Sequence, residues 1–174
     1  MAVCPGRFKL QFKPTDIPKL AGRYKPEQDE DALAAGKQIK EGDFKRANLS
    51  EIFEWKTKGR GRSRLLGNSD IEIADALRLA VSAETERAAV AVLLGLHGVQ
   101  VPVASAILTA IEPERYTVIN FRALEAFGST STDRTVNFYL AYLDFCRQLA
   151  ATSRVSLRDL DRALWTWSDE KSER

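Results

Sequence analysis

The chain has 174 residues, of which 44% are hydrophobic and 29% charged, with a net charge of +2; this is the balance of a globular domain with an ordinary core, not of a disordered chain. No apolar run approaches the roughly 18 residues of a membrane-spanning helix. Met1–Arg7, broken by Pro5 and Gly6, lacks the apolar stretch of a secretion signal, so a cytoplasmic protein without membrane contact is expected. The two cysteines, Cys4 and Cys146, and the one histidine, His97, are too few for a Cys/His metal cluster or a four-thiolate iron–sulfur cluster. Both thiols are expected to stay reduced in the cytosol.

In chain order, Arg7–Lys13 alternates Phe8, Leu10 and Phe12 with Lys9, Gln11 and Lys13, the period of a short strand or an extended arm. Pro14, Pro18, Gly22 and Pro26 then punctuate an irregular entry. Pro26 to about Lys40 is expected to be helical, with acids in its first turn, where the helix dipole favours them. Ser50 is expected to cap a helix carrying Ile52, Phe53 and Trp55. Lys58–Arg64 reads as a Gly/Arg loop. Asn68 or Ser69 caps a helix carrying Ile71, Ile73, Ala74, Leu77 and Leu79. Ala83–Leu94, rich in Ala, Val and Leu, is expected to be largely buried. A turn over Leu96–Val101, a helix Pro102–Ile111, a connector Glu112–Ile119 and a helix from Asn120 follow, and Asp133–Leu149 and Ser156–Trp167 close the chain. The fold class is all-α: one helical bundle over 1–174, with residues 1–25 an irregular arm that includes at most a short strand.

Charge is unevenly spread. Residues Lys45 to Arg64 hold seven Lys/Arg (Lys45, Arg46, Lys56, Lys58, Arg60, Arg62, Arg64) against two acids, Glu51 and Glu54. A local basic patch of this kind suits a phosphate-bearing partner.

The turn Leu96-His97-Gly98-Val99-Gln100-Val101-Pro102 joins two apolar helices. Pro102 suits the first turn of a helix, where its missing N–H is not needed. Ala104, Ser105 and Ala106 allow close packing behind it. Such a turn aims backbone N–H groups outward, where they hold a phosphate without reading sequence.

Leu96, Gly98, Val99, Ala104 and Leu108, with the step from Leu108 to Asn120, make Leu93–Gly128 resemble the helix-hairpin-helix of the DNA glycosylases similar to endonuclease III and 8-oxoguanine glycosylase. Trp55-Lys56 and Ala163-Leu164-Trp165 resemble one branch of that superfamily. The resemblance implies duplex DNA with a damaged or modified base as partner, a monomer associated with the nucleoid, and N-glycosidic hydrolysis by water. It implies that N–H groups of Gly98, Gln100 and Val103 touch a phosphate. The carbonyls of Leu94, Leu96 and Val99 would hold Na+ or K+, with no other cofactor required. Two positions depart from the pattern. Gln100 replaces its second glycine, and Pro102 stands where bifunctional members carry their nucleophilic lysine, which removes a Schiff-base lyase step from that position.

Asn120 stands where the resemblance places the catalytic aspartate. A carboxylate there would stabilise the oxocarbenium-like sugar or activate water; a neutral amide does neither, although it caps a helix equally well. Three origins stay open: an inactivating Asp-to-Asn change, a relative that binds DNA without hydrolysis, or another carboxylate, with Glu112, Glu114, Glu125 and Asp133 near in sequence. Beyond the turn, Lys56, Lys58, Arg60 and Arg62, with His97 and Arg122, are candidate DNA contacts. Tyr116, Phe121 and Trp165 are candidate walls of a base pocket. Each has a plainer reading: aromatic residues at helical spacing are commonly core, and a basic loop is commonly only solvated. A non-catalytic DNA-binding module of a repair or defence system is the rival to the glycosylase, and a protein-interaction bundle with the turn as mere scaffold is the third reading.

Overall fold

The structure is a computed structural model and describes residues 8–173. Expectations for Met1–Arg7, Cys4 included, lie outside the described residues. Among the described residues there are ten α-helices and no strand: α1 (Ile17–Ala21), α2 (Glu30–Lys40), α3 (Arg46–Thr57), α4 (Arg62–Leu65), α5 (Asp70–Ser82), α6 (Glu86–Leu94), α7 (Val101–Ile111), α8 (Phe121–Ala126), α9 (Val136–Ser153) and α10 (Leu157–Ser172). The all-α expectation stands, and none of these helices is long and apolar enough to cross a membrane.

Local chemistry sets most helix starts. Ser69 and Glu72 form a reciprocal capping box at α5, and Thr85, Asn120, Thr135 and Ser156 each accept a backbone N–H at the start of α6, α8, α9 and α10. Ser50 is not a cap. It lies inside α3, which starts four residues earlier because the Asn48 amide donates to the Asp43 carbonyl at 3.0 Å and holds the entry turn. The Gly/Arg loop is shorter than expected, since Arg62–Leu65 closes one helical turn. The apolar residues of α5 split between two faces: Ile73 and Leu77 are buried, whereas Ile71 is 81% and Leu79 48% exposed. Residues 83–94 bury only one stripe, Ala89, Val90 and Leu93.

The described residues divide into two compact units, residues 26–116 and residues 8–25 together with 117–173. In the first unit α7 is the central element, packed against α2, α3 and α6. Every residue from Ala104 to Ile111 is buried, so this helix has no solvent face and needs none of the polar residues that a surface helix carries. Its contact with α2 is backbone to backbone. A Cβ on Gly36 would lie 2.0 Å from the Ala110 carbonyl oxygen. Beyond it, Arg115 donates to Glu86 (3.2 Å), Glu112 (3.3 Å) and the Glu84 carbonyl (3.2 Å), while Lys40 meets Glu114 at 3.0 Å and Glu112 at 3.6 Å.

In the second unit, α10 packs against α1, α8 and α9. Residues 8–13 form no strand and bend at Gln11 and Phe12, and the N–H groups of Lys9 and Gln11 donate to the carbonyls of Phe127 (3.0 Å) and Ala126 (2.9 Å). Their alternation is real, since Phe8 is buried and Lys9 and Gln11 are exposed, but the partner is a helix end, so no sheet forms. Phe8 inserts among Phe127, Phe138, Tyr142 and Phe145, with ring centroids 5.5–6.1 Å away, separations at which aromatic pairs attract through their quadrupoles. The buried phenols of Tyr139 and Tyr142 donate to the carbonyls of Thr117 and Val118, each at 2.9 Å, and fix the backbone that leads to Asn120. Burial pushes the Cys146 thiol far above its ordinary range, so it behaves as a small apolar residue.

Gly36→Ala should lower unfolding free energy by about 1–3 kcal/mol, the usual cost of overpacking, despite the helix propensity that alanine adds. Urea denaturation checks this, and a gain in stability would rule out the close approach of α2 and α7.

Candidate nucleic-acid interface

Helix α6 ends at Leu94, and the chain turns through Gly95–Gln100 before α7 begins at Val101. The N–H groups of Leu96 and Val99 bond back to the carbonyls of Leu93 (3.1 Å) and Leu96 (3.2 Å), which tightens the turn. Gly98 sits at φ +82°, and a Cβ there would lie 3.0 Å from the Leu65 nitrogen and 3.2 Å from the Arg64 Cβ. Both the left-handed backbone and the lack of space require glycine. Gln100, by contrast, is extended at φ −108° and exposed, so the side chain that departs from the glycosylase pattern meets no conformational obstacle.

The same turn leaves donors unused. Among the described residues, the backbone N–H groups of Gly98, Gln100 and Val103 have no hydrogen-bond partner. Gln100 is exposed, and Gly98 and Val103 are half-buried. The carbonyls of Leu94 and Val99 likewise accept no hydrogen bond there, while the Leu96 carbonyl accepts the Val99 N–H. The imidazole-bearing residue of the turn, His97, is exposed and its backbone is held from below.

The residue that holds it is Asn68. Its side chain is almost wholly buried, at 4% exposure. The Nδ2 group donates to the carbonyls of Leu65 (2.9 Å) and His97 (3.0 Å), and Oδ1 accepts the His97 N–H at 2.8 Å. Arg46 donates to the Asn68 carbonyl and, at 2.6 Å, to Asp70. Asn68 therefore clamps the turn to the end of α4. The sequence offers a trace of this role: Asn68 and Ser69 stand together at a helix start that needs one cap, so one is spare.

The clamp brings charge to the turn. Lys58, Arg60, Arg62 and Arg64 are exposed and make no ion pair among the described residues; Arg60 donates only to the Thr57 carbonyl at 3.1 Å. Left-handed backbone at Lys58 (φ 53°), Gly59 (φ 79°) and Gly61 (φ 80°) reverses the chain between α3 and α4. The basic run predicted from Lys45 onward is narrower than its count. Lys45 pairs with Asp43, Arg46 with Asp70, and Lys56 is half-buried. Arg64, the last cation of the run, is the one whose stem lies under Gly98.

The remaining candidates lie apart from that turn in the chain. Tyr116, in the same unit, is 1% exposed with the Arg115 guanidinium 5.1 Å from its ring centroid, so it is a core residue with no ring face open to a base. Asn120, Phe121, Arg122 and Trp165 belong to the other unit. Asn120 Oδ1 accepts the Ala123 N–H at 2.8 Å. Arg122 pairs with Asp169 at 2.9 Å and lies over the rings of Phe121 and Trp165, so its charge is already engaged. The nearby carboxylates are also engaged: Glu112 and Glu114 by Lys40 and Arg115, Glu125 by Ser168 and Lys171, and Asp133 by the Thr135 N–H. The hydrogen bonds from Ser168 and Lys171 hold the Glu125 carboxyl below its ordinary range. Comparison with family models, with curated proteins and with solved structures found no match to this chain.

Asn68→Asp would set an acceptor-only carboxylate against two carbonyl oxygens. The expected loss is about 2 kcal/mol in chemical denaturation, with amide exchange of residues 95–100 faster than in the parent. Unchanged exchange would mean that the clamp does not order the turn.

Proposed function

We propose that this protein binds the phosphate backbone of duplex DNA on a glycosylase-like scaffold and addresses a damaged or modified base, with Asn120 withholding the hydrolytic step. One observation carries the reading: three unpartnered backbone N–H groups (Gly98, Gln100, Val103) in a turn clamped against exposed, unpaired Arg62 and Arg64. Backbone donors hold a phosphate oxygen without reading sequence, and nearby guanidinium groups add charge-assisted bonds and release counterions. Na+ or K+ on the carbonyls of Leu94, Leu96 and Val99 would stiffen the turn; no other cofactor enters this reading.

The chemistry that such a scaffold serves is cleavage of the bond between a flipped base and its sugar. As that bond breaks, positive charge develops on the sugar, and a carboxylate stabilises it or takes a proton from the attacking water. An Asp at 120 would keep one oxygen on the Ala123 N–H and present the other. Asn120 keeps the cap and has no charge to present, which costs on the order of 10²–10³-fold in rate if one electrostatic contact is the guide. Pro102 offers no amine, so only a monofunctional, water-dependent route fits. The second reading, a non-catalytic DNA-binding module of a repair or defence system, is favoured by the two carboxylates of the Asn120 unit that lie near it in sequence: Glu125 is held by Ser168 and Lys171, and Asp133 accepts the Thr135 N–H.

Duplex binding should weaken as salt rises, and the double variant Arg62→Ala/Arg64→Ala should reduce the slope of log K against log salt by about 2. Anisotropy titrations over a range of KCl concentrations measure this. An affinity indifferent to salt and to both arginines would refute the interface. On oligonucleotides with damaged bases, Asn120→Asp should release base at least about 100-fold faster than the parent. If the Asp variant binds and releases nothing, the non-catalytic reading takes its place.

A further inference from the structure

Phe121 stands out in its unit. It is 67% exposed, whereas every other described aromatic ring of residues 8–25 and 117–173 is buried or half-buried. Helix α8 does not need it for packing, since Ala123, Leu124 and Ala126 supply the buried face. Most of Phe121 faces solvent, and one guanidinium lies over its ring. The Arg122 guanidinium carbon lies 5.3 Å from its centroid and 5.2 Å from that of Trp165. Trp165 in turn meets Tyr24 edge-on at 5.5 Å, and Arg162 lies 5.5 Å from the Tyr24 ring.

These contacts form one run: Arg162, Tyr24, Trp165, Arg122, Phe121. Each inner member meets a neighbour in the run before it and after it, and Phe121, at the end, is the exposed one. The guanidinium is fixed by Asp169 at 2.9 Å, and its buried Nη1 has no hydrogen-bond partner, so the two rings are the surroundings it is packed to meet. A cation held on one face of an aromatic ring fixes the plane of that ring and draws density from it. The open face then suits a second flat, electron-rich π-system. Nucleobases stack on such rings with little regard to sequence, because every base has a π-face.

We propose that Phe121, backed by Arg122 and Trp165, is a stacking platform for one unpaired nucleobase of a bound strand. This rests on the nucleic-acid reading above and adds to it a preference for DNA in which a base has left the duplex. The platform needs no carboxylate at 120, so it acts in this chain as it stands.

The test uses the full chain and two duplexes of one sequence, the first fully paired and the second with a single adenine opposite an abasic site. The chain should bind the second about tenfold more tightly. Phe121→Ala should abolish that preference and leave affinity for the paired duplex unchanged, while Phe121→Trp should retain it; circular dichroism checks that both variants fold. Equal affinity of the parent for the two duplexes, or a preference that survives Phe121→Ala, overturns the proposal and leaves the phosphate interface standing. If the parent binds neither duplex, the interface reading fails by itself. Single-stranded oligodeoxyadenylate, whose bases are already open, then decides the platform: weaker binding by Phe121→Ala supports it, and no change or no binding ends it. An exposed Phe121 that serves a protein partner instead would show itself by altering neither nucleic-acid affinity.

Discussion

The contact between Gly36 and Ala110 governs the 26–116 unit. With a carbonyl oxygen where a Cβ would stand, α2 and α7 meet at backbone distance, and α7 can be surrounded on all sides from Ala104 to Ile111. A helix so enclosed has no freedom to rotate or slide without forming voids or clashes. Its first residues therefore have a fixed position, and so does the turn that feeds it. Unpartnered N–H groups serve as a ligand site only when they stay aligned without help from the ligand; the buried body of α7 supplies that rigidity from one side. Asn68 supplies it from the other, by tying His97 to the end of α4 through three side-chain hydrogen bonds.

How much of this was legible in the sequence varies with how local the cause is. The helices, their caps at Ser69 and Asn120, the turn at Gly98 and the start of α7 follow from neighbouring residues, and the sequence pattern located them. The start of α3 was misread because Ser50 is a good cap in isolation, whereas the amide of Asn48 reaching back to Asp43 decides the matter. Ile71 and Leu79 belong to the apolar set of α5, and their angular positions put them outside the buried stripe of Ile73, Ala76, Leu77 and Ala80.

The candidate site was legible only in part, because its parts come together through non-local contacts. The turn and the basic run were each visible, but nothing in the spacing between Arg64 and Gly98 announces that one lies beneath the other. Counting cations overstated the patch, since Lys45 pairs with Asp43 just outside the counted run and Arg46 with Asp70, which the fold brings to it. Tyr116 shows the converse: an aromatic beside a suspected site reads as a pocket wall, yet its ring is enclosed by its own unit. Asn120 was placed correctly as a cap, and its chemistry, the lack of a charge, is a property of the residue itself.

The aromatic cluster around Phe8 has a bearing on synthesis. Phe8 is among the first described residues to leave the ribosome, and Phe127, Phe138, Tyr142 and Phe145, its ring partners, are made more than a hundred residues later. Helix α1 similarly awaits α10. Residues 26–116, in contrast, hold their own internal contacts and are complete before any of residues 117–173 are made. The order of emergence thus favours a chain in which the turn over Gly95–Gln100 is ordered first and the apolar N-terminal arm remains uncovered until the last helix is released. That interval is when Phe8, Ile17 and Leu20 are open to association with other chains.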